Sequence, residues 1–255
     1  MGGRKSPYIT LASCRETTGR RGHVRAVKPP IGICSWSLQP KDIQDLVASL
    51  EACGISAVQL ALDPVRTGAM PIDALQTTFR ARGIHILSGM MAMQGEDYST
   101  LESIRQTGGI VPDGTWDANQ AAAIENARLA RALGMTLVTF HAGFVPHEGA
   151  GRDTLIDRLQ RMADIFGAEG VDIALETGQE DAHDLHGLLT EMGDRRIGVN
   201  FDPANMILYG TGEPIPALKA VGEHVRSVHC KDGEWAANPG QEWGQEVAKV
   251  VLLSR

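Results

Sequence analysis

The sequence predicts an α/β chain built as a (β/α)8-type barrel that is truncated after its seventh strand. Three observations predict this. From Ile31 onward, short apolar runs alternate with amphipathic stretches. The runs are too short for helices and too uniformly apolar for strands with one wet face, which is how parallel strands covered on both sides read. Several amphipathic stretches close on a glycine just before the next run, at Gly54, Gly83, Gly134 and Gly170. Glycine fits the left-handed position that stops a helix.

The first run is IGICSW (31–36). Behind it, Asp42–Cys53 carries Ile43, Leu46, Val47 and Leu50 on one stripe, at the i, i+3, i+4, i+7 spacing of a helix face. AVQLAL (57–62) and IHILSG (84–89) are the second and third runs. The segment Gly89–Thr115 is long for a connection between a strand and a helix, and is read as a lid. Trp116–Leu133 is an alanine-rich helix with Ile124, Ala127 and Ala130, followed by TLVTFH (136–141). Asp153–Phe166 places Leu155, Leu159, Met162 and Ile165 at helical spacing, followed by VDIALE (171–176). IGVNFD (197–202) and VRSVHC (225–230) complete the runs.

Repeated β–α units in a domain of this length point to a barrel. A doubly wound open sheet is the alternative, but no Gly-x-Gly-x-x-Gly follows the first run. After VRSVHCKDGEW about twenty residues remain, too few for a helix, an eighth strand and a closing helix. Either the barrel is incomplete or another element or subunit covers the gap. The barrel domain is placed at 30–255 with its C-terminal part incomplete. Residues 1–29 hold Arg4, Lys5, Arg15, Arg20, Arg21, Arg25 and Lys28 against Glu16, and read as a disordered basic leader. The Arg20-Arg21 pair lacks the apolar stretch that an export signal needs after it.

Composition narrows the function. Of 255 residues, 43% are hydrophobic, enough for a sizeable core, and the formal net charge is -7, which argues against binding a phosphate backbone. No run of 18 apolar residues exists, so no membrane span is expected. Four scattered cysteines without paired spacing fit free thiols in a reducing, cytoplasmic setting.

In a parallel barrel the active site lies at the C-terminal ends of the strands. The fourth run ends in His141, the fifth in Glu176 and the sixth in Asp202. The seventh carries His229 near its end, with Lys231 and Asp232 just beyond. Such groups are costly to bury without a shared partner, and a divalent cation (Mn, Mg, Co or Zn) supplies one. Each residue also has a structural alternative. Glu176 could pair with Lys231, Asp202 could cap the turn before Pro203, and His141 could be a core histidine. Pro203 is expected to end the strand and hold Asp202 at the rim. Trp36 and Met90 could wall the pocket or pack in the core. His183 and His186 share a helix face with no third ligand evident, and His147 and His224 read as loop residues.

FHAGFVP, ALETGQE, VNFDPANMILYG and VRSVHCKDGEW, on successive strands, resemble the xylose isomerase-like barrel superfamily, in its sugar phosphate isomerase/epimerase branch. The resemblance covers Ile31 to Trp243. It implies a divalent metal held by Glu176, Asp202 and His229, with a second glutamate from an eighth strand that has no counterpart here; Glu242 and Glu246 lie in the loop after the seventh strand. It places His141 at the substrate, and Asn205 where family epimerases often carry a histidine. It implies a sugar or keto-polyol as partner, and proton transfer through a metal-stabilised enediolate, with Glu176 as ligand and base and Lys231 stabilising negative charge. Nothing in the sequence resembles a dedicated phosphate-binding loop. The missing glutamate suggests an impaired enzyme, with AKVVLLSR the product of a frameshift or premature stop and the leader a start-site artefact. The alternatives are a non-catalytic sugar- or metal-binding relic, and an apurinic-site endonuclease of the same superfamily. A homo-oligomer is expected as the assembly.

Overall fold

Side-chain alternation along each strand decides what faces the barrel axis and what faces the helices. The computed structural model describes residues 9–12, 30–193 and 196–247. Its strands are β1 (Ile9–Ala12), β2 (Ile31–Cys34), β3 (Ala57–Ala61), β4 (His85–Met90), β5 (Leu137–Phe140), β6 (Asp172–Glu176), β7 (Ile197–Phe201) and β8 (Val225–Cys230). They form a closed barrel in sequence order, in which β2 to β8 are parallel. The seven expected runs are therefore all strands, within a residue or two of their expected ends.

The gap beside the seventh parallel strand is filled from within the chain. β1 pairs antiparallel with β2 on one side and β8 on the other, placing Thr10 opposite both Gly32 and His229. An edge left open there would expose unpaired backbone groups on β2 and β8. Of the segment read as a disordered leader, Ile9–Ala12 is thus a strand, and the rest lies outside the described residues. So does the terminal AKVVLLSR.

The helices are α1 (Ser35–Leu38), α2 (Ile43–Ala52), α3 (Asp63–Arg66), α4 (Ile72–Arg82), α5 (Leu101–Thr107), α6 (Asp113–Ala132), α7 (Ala150–Ala168), α8 (Ala182–Met192), α9 (Pro203–Tyr209) and α10 (Pro214–Val221). Helix α2 starts where its chemistry says it should. The Asp42 side chain accepts the Asp45 N–H, and Ile43, Leu46, Val47 and Leu50 are buried. Gly83 closes α4 at φ 63°, a left-handed conformation that glycine adopts without strain. Outward strand residues such as Val58, Leu60, Val138, Phe140, Ile173, Leu175, Val199 and Phe201 join Leu155, Leu159, Met162 and Phe166 of α7 in one apolar core.

Beyond β8 the chain forms an antiparallel ribbon of β9 (Asp232–Glu234) and β10 (Gln245–Val247). Glu242 lies in its connection and is exposed, and Glu246 is a residue of β10. Among the described residues, no helix is long and apolar enough to cross a membrane.

Candidate active site

The inward set of residues is unusually polar for a barrel interior. Gln59, Thr139 and Asn200 are fully buried, and Ser227 nearly so. Gln59 Nε2 donates to Thr139 Oγ1 at 3.0 Å, and Ser227 Oγ donates to Asn200 Oδ1. Above this layer, at the C-terminal strand ends, sit Glu176 on β6, Asp202 just past β7 and His229 on β8. All three are buried, with Asp202 and His229 each 1% exposed.

The three converge. His229 Nδ1 lies 3.3 Å from Glu176 Oε1 and 3.3 Å from Asp202 Oδ2. One ligand atom from each residue falls within 4.8 Å of the other two. On its far side His229 Nε2 meets Gln59 Oε1 at 2.8 Å, which fixes the ring and leaves Nδ1 facing the carboxylates. Burial opposes charge on His229, but the Glu176 carboxylate overrides it and holds the imidazole pKa well above its usual range. Burial likewise opposes charge on Glu176, yet His229 and His141 bring its pKa down to about 2. A positive charge is therefore held between two buried carboxylates. A dication placed there would satisfy the same pair, and an O, O, N donor set suits Mn²⁺, Mg²⁺, Co²⁺ or Zn²⁺.

Asp202 serves two partners. It is the N-cap of α9, its Oδ1 accepting the Asn205 N–H at 2.9 Å, while Oδ2 faces His229. Capping and ligand geometry, set against each other as sequence readings, use different oxygens of one carboxylate. Pro203 does more than end a strand: it is the first residue of α9, where its missing N–H costs nothing. Thr177 Oγ1 accepts the Asp202 N–H at 2.8 Å and lies 3.1 Å from the Asp202 carbonyl, tying the ends of β6 and β7 together.

The remaining expected residues gather around this cluster. Asn205 Nδ2 donates to Glu176 Oε1 at 3.0 Å, and Lys231 Nζ donates to Asn205 Oδ1 at 2.7 Å. Lys231 also lies 3.8 Å from Asp202 Oδ2, and its charge adds to the lowering of the Glu176 pKa. His141 Nε2 is 3.6 Å from Glu176 Oε1. The Trp36 ring centroid is 6.1 Å from that of His229. All of these except Asp202 line a cavity of about 940 Å³ that also takes in Met90, Glu96, Tyr98, Tyr209 and Trp243.

Sequence reasoning missed several of these residues. Gln59 is a lone amide in the apolar run AVQLAL, and that interruption was its signal. Glu96 and Tyr98 come from the segment read as a lid, within which α5 lies and α6 begins. Tyr98 donates to Glu96 Oε2 at 3.0 Å, and Glu96 Oε1 accepts the Gly109 N–H at 2.9 Å. Tyr209 and Trp243 pack with ring centroids 5.1 Å apart and planes tilted by 55°.

The fold and this cluster together define a barrel protein with a carboxylate–imidazole centre at the strand ends. The chain matches the xylose isomerase-like TIM barrel family over residues 47–248, and belongs to it. A xylose isomerase domain protein from Planctomyces limnophilus is 33% identical, with a TM-score of 0.74 over 80% of this chain and 76% of that one. YihM of Escherichia coli strain K12 is 26% identical over 184 residues, 67% of this chain and 55% of that protein. The chain thus spans about half the length of that curated relative. Two more distant structures share the fold. One is a xylose isomerase-like TIM barrel protein from Mycobacterium smegmatis in complex with magnesium (17% identity, TM-score 0.58, 79% and 71% of the two chains). The other is D-psicose 3-epimerase in the presence of D-fructose (13% identity, TM-score 0.55, 76% and 70%).

Proposed function

We propose that the protein is a metal-dependent isomerase or epimerase of sugars or keto-polyols, with Glu176, Asp202 and His229 holding the divalent ion. The observation that carries the reading is the meeting of these three ligand atoms in a buried cluster beside a 940 Å³ cavity. Relatives of the same fold support the substrate class, one of them a 3-epimerase seen with a ketose and another a magnesium complex.

When bound, a divalent ion polarises a substrate carbonyl and makes the adjacent C–H more acidic. The chain's own residues do the rest. Glu176 is ionised at neutral pH and accepts the proton from carbon. Lys231 and Asn205 offer an ammonium and an amide toward oxygens that gain negative charge. His141 positions a hydroxyl beside Glu176, and Trp36 gives the sugar an apolar wall.

A second reading, a non-catalytic sugar- or metal-binding protein, is favoured by one observation. Among the described residues a single glutamate reaches this cluster, whereas proton transfer on two faces or carbons uses a second acid. Incubating the Mn²⁺-loaded protein with ketohexoses in D2O separates the readings. Deuterium appearing beside the carbonyl by NMR, and lost in Glu176→Gln, supports the enzyme. Retained metal with no exchange in any ketose tested supports the binder.

A further inference from the structure

A second group of metal-type ligands lies at the other end of β8. His224 and Glu223 belong to a single 3-10 turn, Gly222–His224, that leads into the strand. His186 projects from α8, against which α10 packs just before that turn. One ligand atom from each of His186, Glu223 and His224 falls within 4.8 Å of the other two. The imidazoles sit with centroids 5.6 Å apart, tilted by 57°, and His224 Nε2 is 3.6 Å from Glu223 Oε1. In the sequence no third ligand is evident beside His183 and His186, and His224 reads as a loop residue; packing brings His186, without His183, next to Glu223 and His224. His229 lies five residue steps along the strand from His224, roughly 16 Å at about 3.3 Å per step, so this group is distinct from the mouth cluster.

Two features point to a ligand. His186 Nδ1 and His224 Nε2 are both buried and make no hydrogen bond. Buried ring nitrogens are ordinarily satisfied, and two unsatisfied ones in a single cluster leave their lone pairs or protons uncompensated. The donor set differs in kind from that at the mouth, with two imidazoles and one carboxylate in place of two carboxylates and one imidazole. Imidazole-rich sets suit zinc-class ions, and a carboxylate with two histidines leaves a position for water.

We propose that His186, Glu223 and His224 form a second metal site, selective for a zinc-class dication, that clasps α8 to the turn entering β8. The inference is independent of the proposed activity at the barrel mouth. Its test uses the full chain stripped with chelator, dialysed against Zn²⁺ and desalted, with bound zinc measured by mass spectrometry. The mouth is disabled by Glu176→Gln with Asp202→Asn. In that background one equivalent of zinc remains, and adding His186→Gln and His224→Gln removes it. Glu223 is largely exposed, so Glu223→Gln keeps the fold. It is expected to weaken zinc binding by at least about tenfold, the scale of losing even a supporting group at a metal centre. Zinc also raises Tm in the mouth-disabled protein, and this gain is smaller with Glu223→Gln at the same zinc concentration and lost in the double histidine variant. The proposal is overturned if the mouth-disabled protein retains no zinc, or if Glu223→Gln and the double histidine variant leave its zinc content and affinity unchanged.

Discussion

Asp202 shows how one side chain can be asked to do two things. Its Oδ1 caps α9 and its Oδ2 faces His229. Asparagine caps a helix about as well as aspartate but is a poor substitute as a charged ligand. Asp202→Asn is therefore expected to keep the cap of α9 while lowering Mn²⁺ affinity at least tenfold. Asp202→Ala adds loss of the cap, about 1 kcal/mol. Calorimetry with and without metal distinguishes the two. Gln59 acts on the same centre from behind, through its bond to His229 Nε2. Gln59→Leu is predicted to reduce metal affinity by about 10–100-fold without touching a ligand. Glu180 carries a different prediction. Burial pushes its carboxyl pKa up to about 8, so the folded state holds its proton more tightly than the unfolded chain does. Its favourable contribution is complete below pH 4.5 and declines as pH rises through 8. Glu180→Gln should flatten the fall in chemical stability over that window; an unchanged slope would contradict this. Strand-end position placed Glu176, Asp202 and His229 among the candidates, together with His141, Lys231 and Asp232; the family resemblance, not position, picked out the three. Gln59 and Tyr98 escaped because their roles depend on which strand face and which loop wall they occupy, and neither is encoded in local spacing.

At the scale of elements, the seven parallel strands were legible because each is covered on both faces and reads as an unbroken apolar run. The helices beside them were legible from period and from their glycine stops. β1 was not, because four residues inside a basic segment carry no period, and their pairing is with strands distant in sequence. Its backbone position predicts its importance: Thr10 lies opposite His229, on the strand that carries the mouth imidazole. Deleting residues 1–12 leaves two unpaired edges. The deletion is expected to lower Tm by about 5 °C or more, a shift that corresponds to a few kcal/mol in a chain of this size. It should also weaken metal binding at the mouth. An unaltered Tm would remove β1 from the account. The short helices α1, α3 and α9 also went unread, since each is a single turn or two set by caps and prolines rather than by amphipathic period. His186 and His224 were hidden for a related reason: they lie on separate elements brought together by packing of α8 and α10.

Across the whole molecule, an apolar shell between strands and helices surrounds a polar axis, and that axis leads to one charged cluster at the mouth. Family membership over residues 47–248 agrees with this layout. The negative overall balance fits a small neutral or polar substrate better than a nucleic acid. Glu176, Asp202 and His229 are proposed to hold one divalent ion together, and Mn²⁺ can be titrated into the chelator-stripped protein with the free ion followed by electron paramagnetic resonance. One equivalent bound by the wild type is expected, with at least a tenfold loss of affinity in each of Glu176→Gln, Asp202→Asn and His229→Gln. Equal Mn²⁺ binding by the wild type and all three variants, each shown to be folded, would contradict the proposal.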